Sequence, residues 1–300
     1  MRVDVKNDMP RNTKPMSGMT ALITGGGGAL GSASALEMAR DGAAVAIMGR
    51  NKNTLDKAAA EICVDTPEAR VEMIVGDASR EADIRRALRT SYAIAGRLDA
   101  IVALVGISGG FQPLLSLTQE SFRQVLDFNV LSAFLAIRHG APLMRKTGGS
   151  IICISSTVTA IPFPAMTPYT ASKMAIEGLV KCAADELAGL NVRVNAIRPG
   201  LTMNDALAQL GPLEKRADFE DFFAETPLSR VRKGFGQPND IGRAVRWLAG
   251  PESQWVTGQS FAVDGGHELR RYPSMDKTIA RTMGQAELER VRRGEVDDPV

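Results

Sequence analysis

Tyr169-Thr170-Ala171-Ser172-Lys173 sets a phenol and an ammonium four residues apart, a spacing that on a helix puts both on one face, one turn from each other. A tyrosine hydroxyl, with an ordinary pKa of about 10, is a weak base at neutral pH, and a neighbouring cation favours its phenolate. Such a pair can act as general acid and general base. Tyrosine and lysine also fall at this spacing by chance, so the pair gains weight only from its context. Ser155-Ser156 supplies that context: the two serines close an apolar run at 150–155, and Ser156 lies thirteen residues ahead of Tyr169.

A second segment with chemical potential is Thr24-Gly25-Gly26-Gly27-Gly28-Ala29-Leu30-Gly31, which follows an apolar run at 20–23 and precedes a helix-period stretch at 32–40. Strand, glycine turn and helix in this order form a dinucleotide fingerprint. Gly25, Gly27, Gly28 and Gly31, with Leu30 among them, let backbone approach a pyrophosphate, and the helix N-terminus offers N–H donors. A surface loop is the plain alternative, disfavoured by the close flanking of strand and helix. The next apolar run ends at Met48-Gly49-Arg50-Asn51. An NAD-preferring protein carries an acidic side chain there for the ribose hydroxyls. Here Gly49 and Arg50 stand in its place, and a guanidinium recognises a 2′-phosphate in bidentate fashion. NADP(H) is the expected cofactor, with NAD(H) as the alternative and a merely solvated Arg50 as the plain one. Asp77, followed by Ala78, could accept from the adenine amino group or cap the helix that follows.

Both features need a scaffold that brings them to one place. Val- and Ile-rich runs at 20–23, 43–48, 71–75, 100–105, 150–155, 193–197 and 260–263 read as seven buried strands, and helix-period segments at 32–40, 53–62, 81–95, 119–144, 172–187 and 239–248 separate most of them. This alternation predicts an α/β, doubly wound Rossmann-type parallel sheet with helices on both faces. Ligands in such folds sit at the carboxyl ends of the strands. The 300 residues are expected to form one domain over 18–266, after a flexible leader at 1–17. A polar extension at 267–300, helical near 275–293, is expected to pack on a neighbouring subunit or to be partly mobile. An insertion at 203–233, carrying Leu207, Leu210, Phe219, Phe222 and Phe223, reads as a lid.

The balance of charge narrows the partners. With 36 basic and 34 acidic residues and a formal charge of +2, nothing favours nucleic acid or a membrane surface, and a small neutral ligand is the default. Cys63, Cys153 and Cys182 have no metal-type spacing, and two of them read as small core residues. A reduced, cytoplasmic protein is expected. The polar N-terminus has no apolar core of a signal peptide, and no run of eighteen apolar residues occurs.

Taken in order, the Thr24 to Gly31 turn, Asp77, the segment 99–106, Asn129, Ser156, Tyr169 with Lys173, Asn195-Ala196-Ile197-Arg198-Pro199-Gly200, and Val256-Thr257-Gly258-Gln259 through Asp264-Gly265-Gly266 resemble the short-chain dehydrogenase/reductase family, classical type, over about residues 18–266. The resemblance implies that Tyr169 is general acid in reduction and general base in oxidation. Lys173 would lower the tyrosine's pKa and bond the nicotinamide ribose. The family's spacing to the tyrosine selects Ser156 over Ser155 as the group that polarises a carbonyl. Asn129 would hold a water linking Lys173 to solvent, although an asparagine inside a helix can equally satisfy a backbone group. Val105 and Gly106 would line the adenosine ribose. Pro199, Gly200 and the backbone at Thr202 would support the nicotinamide.

The chain departs from the family in three places. Ala29 replaces the middle glycine of the turn, Ala103-Leu104-Val105-Gly106 replaces Asn-Asn-Ala-Gly, and Asn204 replaces a threonine. The expected activity is an NADP(H)-dependent ketoreductase or secondary-alcohol dehydrogenase, with an apolar pocket drawn from Phe111, Val158, Phe163, Met166, Leu201 and Met203. A catalytically silent, cofactor-sensing protein is the alternative. An enoyl reductase is disfavoured by the short Tyr169 to Lys173 spacing. The family also implies a homotetramer or homodimer built on 119–144, 172–187 and the last strand, with the C-terminal tail at a neighbour's active-site mouth.

Overall fold

Seven strands carry the apolar runs: β1 (Thr20–Thr24), β2 (Ala44–Gly49), β3 (Val71–Val75), β4 (Ala100–Ala103), β5 (Gly149–Ile154), β6 (Val192–Pro199) and β7 (Ser260–Val263). In the computed structural model, which describes residues 14–203, 226–228, 235–269 and 276–295, all are parallel and lie in the order β3-β2-β1-β4-β5-β6-β7. The helices among the described residues are α1 (Ala29–Arg40), α2 (Lys52–Asp65), α3 (Glu81–Ala95), α4 (Gln119–Met144), α5 (Thr167–Glu186), α6 (Pro238–Ala249), α7 (Asp276–Met283) and α8 (Gln285–Arg292). Successive strand residues point to opposite faces, so each run feeds two cores. Leu22, Ala46 and Ile101 pack with Leu88, Leu135 and Ile176 of α3, α4 and α5. Ile23, Ile47 and Val102 pack with Met38, Leu55 and Val245 of α1, α2 and α6. The strand order reverses between β1 and β4, and in such sheets that switch point opens a crevice at the carboxyl edge.

Several boundaries differ from the sequence reading for identifiable reasons. β4 stops at Ala103, two residues early, because β1 ends at Thr24 and a side-chain latch takes over from the ladder. The Thr24 hydroxyl donates to the Val102 carbonyl (3.2 Å) and accepts from the Leu104 N–H (3.1 Å). β3 is an edge strand, and Met73 and Val75 are exposed rather than buried. α5 begins at Thr167, not at 172, with Pro168 in its first turn, where a missing N–H costs nothing. Tyr169 therefore sits inside the helix. Of the cysteines only Cys153 is in the core. Cys63 follows the buried Ile62 and Cys182 lies two residues past the buried Val180, so helical rotation turns both outward.

The two ends of the chain are more engaged than expected. Met16, assigned to the leader on sequence grounds, is fully buried, and its N–H donates to the Asp41 carbonyl (2.9 Å). The tail's α7 and α8 fold back on their own chain, burying Ile279, Leu288 and Val291. The insertion residues 204–225 and 229–234, with Asn204, Leu207, Leu210, Phe219, Phe222 and Phe223, lie outside the described residues. No helix among the described residues is long and apolar enough to cross a membrane.

Candidate active site

At the carboxyl end of β5 the two serines part company. The Ser155 hydroxyl donates to Glu177 Oε1 (2.6 Å), and the Thr159 hydroxyl donates to the same oxygen (2.7 Å). Ser155 is thereby committed to holding β5 against α5. Ser156 has extended backbone and caps the short 3-10 turn Thr157–Thr159, its Oγ accepting weakly from the Val158 N–H (3.4 Å). The Thr159 hydroxyl also lies 2.9 Å from the Ser156 carbonyl, its single proton shared between that oxygen and Glu177, so Thr159 links the Ser156 backbone to the Glu177 carboxylate. Arg198 on β6 extends the network, with Nη1 3.7 Å from Glu177 and a two-pronged pair to Glu268 at 2.8 and 2.9 Å. The sequence reading missed Glu177, although its position four residues past Lys173 placed it on the same helix face.

On α5 the phenol and ammonium lie one turn apart. Lys173 is 3 % exposed. Its Nζ donates to the Ile154 carbonyl (2.7 Å) and lies 5.5 Å from the centroid of the Tyr169 ring. Burial pushes its pKa down to about 8, because desolvation disfavours the charged form; at neutral pH the ammonium persists. Asn129, buried on α4, accepts from the Ile107 N–H (2.7 Å), donates to the Ile107 carbonyl (2.9 Å) and donates to the Ser172 hydroxyl (2.9 Å). Two of these contacts satisfy the Ile107 backbone and the third reaches a side-chain hydroxyl on α5. They pin the loop after β4 beside Lys173, and Gly106 fits that gap: a Cβ there would stand 3.2 Å from Lys173 Nζ and 3.4 Å from Asn129 Oδ1.

The glycine turn lies at the carboxyl end of β1. Gly25 has φ +69°, a conformation glycine adopts without the strain a Cβ would bring. A Cβ at Gly26 would fall 2.6 Å from Ile47 Cβ, one at Gly27 2.5 Å from Thr54 Oγ1, and one at Gly31 2.2 Å from the Gly25 carbonyl oxygen. Three of the glycines are thus demanded by the turn's own packing against β2 and α2. Gly28 meets only the Gly25 oxygen, at 3.5 Å, and begins α1 as an N-cap without a side-chain hydrogen bond. Orphan first-turn N–H groups with a favourable dipole remain for an anion, so the loop fits a dinucleotide pyrophosphate, with Ala29 and Leu30 opening the helix. The expected outcome is a contrast. Gly31→Ala destabilises the protein by about 1–3 kcal/mol through overpacking and weakens dinucleotide binding. Gly28→Ala keeps the melting temperature and perturbs binding alone. Calorimetric melting with and without nucleotide separates the two.

Around the turn, Gly49 stands where an acidic side chain would be, and a Cβ there would be in ordinary contact with Leu55 Cδ2 at 3.4 Å and 3.9 Å from the Gly27 nitrogen. Arg50 is exposed, with its guanidinium over the Phe128 ring of α4 at 5.2 Å. Asn51 is occupied as the N-cap of α2, accepting from the Asn53 N–H (2.9 Å). Asp77 accepts from the N–H (2.9 Å) and hydroxyl (2.7 Å) of Ser79 beside buried Ala78. Leu104, where the family has an amide, packs into the core against Gly25, 3.3 Å from its would-be Cβ, and Val105 packs on the opposite core. Pro199 closes β6. A Cβ on Gly200 would meet Asp264 at 2.7 Å, and Thr202 is buried with its hydroxyl on the Gly200 carbonyl (3.1 Å). Phe111, Val158, Phe163 and Met166 share one apolar cluster, whereas Leu201 and Met203 are half-buried apart from it.

The doubly wound sheet thus carries a glycine turn at its switch point and a buried lysine beside a tyrosine at the carboxyl edge of β5. Residues 27–268 match the family described as enoyl-(acyl carrier protein) reductase. The chain is 31 % identical over 257 residues to dehydrogenase/reductase SDR family member 4 of Pongo abelii, covering 85 % of this chain and 90 % of that protein. It is 32 % identical over 251 residues to a 3alpha-hydroxysteroid dehydrogenase of Mediterraneibacter gnavus, covering 82 % and 95 %. Among solved structures, a 7 alpha-hydroxysteroid dehydrogenase complexed with NADH and 7-oxo glycochenodeoxycholic acid superimposes with a TM-score of 0.77 at 30 % identity, covering 86 % of this chain and 97 % of that one. The chain belongs to the short-chain dehydrogenase/reductase family, whose members act on alcohols and ketones.

Proposed function

We propose that this enzyme reduces apolar ketones, or oxidises the matching secondary alcohols, with NADP(H), and that Tyr169 is its general acid and base. The observation that carries the reading is the buried ammonium of Lys173 one helical turn from Tyr169, held by the Ile154 carbonyl two residues before Ser156. The bound dinucleotide supplies or accepts the hydride. In reduction the Tyr169 hydroxyl gives its proton to the carbonyl oxygen, and the Lys173 charge favours the phenolate left behind. The Ser156 hydroxyl donates a hydrogen bond to the same oxygen, as preorganised donors do where negative charge develops. Asn129 acts as a positioning residue through the loop it pins at Ile107. Gly25, Gly27, Gly28, Leu30 and Gly31 would take the pyrophosphate. Arg50, Asn51, Asp77, Ala78, Val105 and Gly106 would take the adenosine side, and Pro199, Gly200, Thr202, Tyr169 and Lys173 the nicotinamide side.

The lack of an acidic side chain at Gly49 and the guanidinium beside it support NADP(H) over NAD(H). Stacking on Phe128 holds that cation near the edge of the site at little entropic cost. Exposed Leu131 and Phe134 on α4 and Met174 on α5 support a homotetramer or homodimer through these helices. Three free thiols fit the reducing cytoplasm.

The test is a comparison of nucleotides followed by a ketone panel read by absorbance of the reduced cofactor. The wild-type protein should bind NADPH at least tenfold more tightly than NADH and turn over hydrophobic ketones. Arg50→Ala should cost NADPH about 10–100-fold in affinity, the worth of a charge-assisted contact, and leave NADH within threefold. Equal loss for both nucleotides would remove Arg50 from recognition of the 2′-phosphate. Tight NADPH binding without turnover across the panel would favour the cofactor-sensing alternative.

A further inference from the structure

Besides the two cores that face the sheet, the chain holds a third apolar cluster at the carboxyl edge. Its buried members are Val158 in the turn after Ser156, Phe163 in the loop leading to α5, Ile279 on α7 and Leu288 on α8. Tyr169, Phe111, Met166 and Met283 pack against it. The C-terminal helices thus share one apolar cluster with the proposed acid/base and the pocket residues of their own chain. From this arrangement we infer that the α7–α8 hairpin is the outer wall of the substrate pocket and selects bulky, rigid, uncharged carbonyls over small ones. The inference rests on the proposed ketone chemistry for its meaning and adds the element that sets substrate size.

The hairpin has the marks of an element built for this contact. Each helix is eight residues long, too short to persist alone in water, so its order depends on what it docks against. Gly284 joins the helices at φ +92°, a left-handed value that lets two short helices turn tightly. On α8 the polar residues pair among themselves, Arg290 with Glu287 (2.7 Å) and Gln285 with Glu289 (2.7 Å), while Leu288 at 4 % exposure and Ile279 at 5 % on α7 go inward. Every member of the cluster is uncharged. The Phe111 and Phe163 rings lie 5.6 Å apart at 50°, and Met166 and Met283 add side chains that adapt to irregular shapes. This apolar surface suits a fused-ring or alicyclic ketone. Ala165, in the left-handed region at φ 63°, accepts from the Gln112 N–H (2.8 Å) and ties the two loops that carry these rings.

The test compares the full-length wild type, the double variant Ile279→Ala/Leu288→Ala, and a chain lacking 276–300. The probes are trans-1-decalone as the bulky ketone and cyclopentanone as the small one, each with NADPH. The ratio of kcat/KM for decalone over cyclopentanone should fall about tenfold or more in the double variant, through KM rather than kcat, the scale on which pocket methylenes discriminate. NADPH affinity serves as the control for folding, and the double variant keeps the question open should the deletion fail to fold. Binding is also measured without turnover, by titrating decalone into Tyr169→Phe saturated with NADPH, with and without the tail substitutions. A tenfold weaker decalone Kd in the tail-substituted protein supports the wall. An unchanged Kd and an unchanged ratio overturn it, as does a parent protein that binds decalone no better than cyclopentanone. Decalone binding that depends on the tail, in a wild type without turnover, would count against the proposed reaction and leave the wall standing.

Discussion

Tyr169→Phe is expected to lower kcat by about 10²–10⁴, the range over which a positioned proton donor contributes, with NADPH affinity within about twofold of wild type. The substitution removes one oxygen and keeps the ring, which packs against the cluster of Val158, Phe163, Ile279 and Leu288, so this apolar packing is kept and the melting temperature should change little. What disappears is the proton for the carbonyl oxygen. Hydride added to the carbonyl carbon without a proton donor for the oxygen must leave an alkoxide, and water cannot replace the phenol as cheaply because apolar side chains surround the Tyr169 ring. The measurement is single-turnover oxidation of NADPH with a hydrophobic ketone, which separates the chemical step from product release. Turnover at wild-type rate would place the proton elsewhere and leave the buried Lys173 without a function.

Much of this arrangement was legible in the sequence because the relevant signals are local. Runs of Val and Ile bounded by turns mark strands whatever their neighbours, and the glycine turn and the Tyr169 to Lys173 spacing are readable from residue type alone. The parallel sheet and the helices on both of its faces followed from the alternation of strands and helices, whereas the order of the strands came only with the structure. Less legible were contacts between segments distant in the chain. Ser155 could be told from Ser156 only by family spacing, whereas in space Glu177 Oε1 accepts from Ser155 at 2.6 Å and settles which hydroxyl is tied up. Asn129 sits 43 residues before Ser172, and no helical pattern announces their bond. The glycines invited a reading in terms of ligand approach, yet Gly26, Gly27 and Gly31 answer first to Ile47, Thr54 and Gly25.

The tail shows the same division. Its helical period could be read, but its docking partner could not, since eight-residue helices carry too little apolar surface to specify one. The sequence allowed a neighbouring subunit or a mobile appendage; the structure docks the tail on the loop after β5 of its own chain, where Ile279 and Leu288 join Val158 and Phe163. β3 errs in the other direction. Its composition is that of a buried strand, but among the described residues no strand pairs beyond it, and position in the sheet rather than residue type decides the exposure of Met73 and Val75.

Lys173→Met should abolish most activity and yet stabilise the nucleotide-free protein at neutral pH. Burial holds the Lys173 pKa at about 8, against an ordinary 10.5. A folded-state pKa below the unfolded one means that the protonated form is penalised by folding. That penalty is complete below pH 8, where both states hold the proton. Between about 8 and 10.5 the unfolded chain binds a proton that the folded chain has released, so wild-type stability rises with pH through this window. The shift corresponds to roughly 3 kcal/mol. Methionine removes the penalty and fills the volume, at the cost of the hydrogen bond to the Ile154 carbonyl (2.7 Å), which offsets about 1–2 kcal/mol of the gain. Urea unfolding at pH 7 should therefore show the variant about 1–2 kcal/mol more stable, with the advantage gone by pH 10.5. Groups that do not face Lys173 cancel in the difference; Cys153, whose charge interacts with it, has a thiol that burial raises to about 12, above this window. The variant's kcat should fall by about 10²–10⁴, because the cation that favours the Tyr169 phenolate is lost. A variant less stable than wild type at pH 7 would mean that the ammonium is better solvated or better paired than its burial implies. Were it more stable and inactive, the site would be one that holds a charge against the preference of the fold, as expected where strain and chemistry coincide.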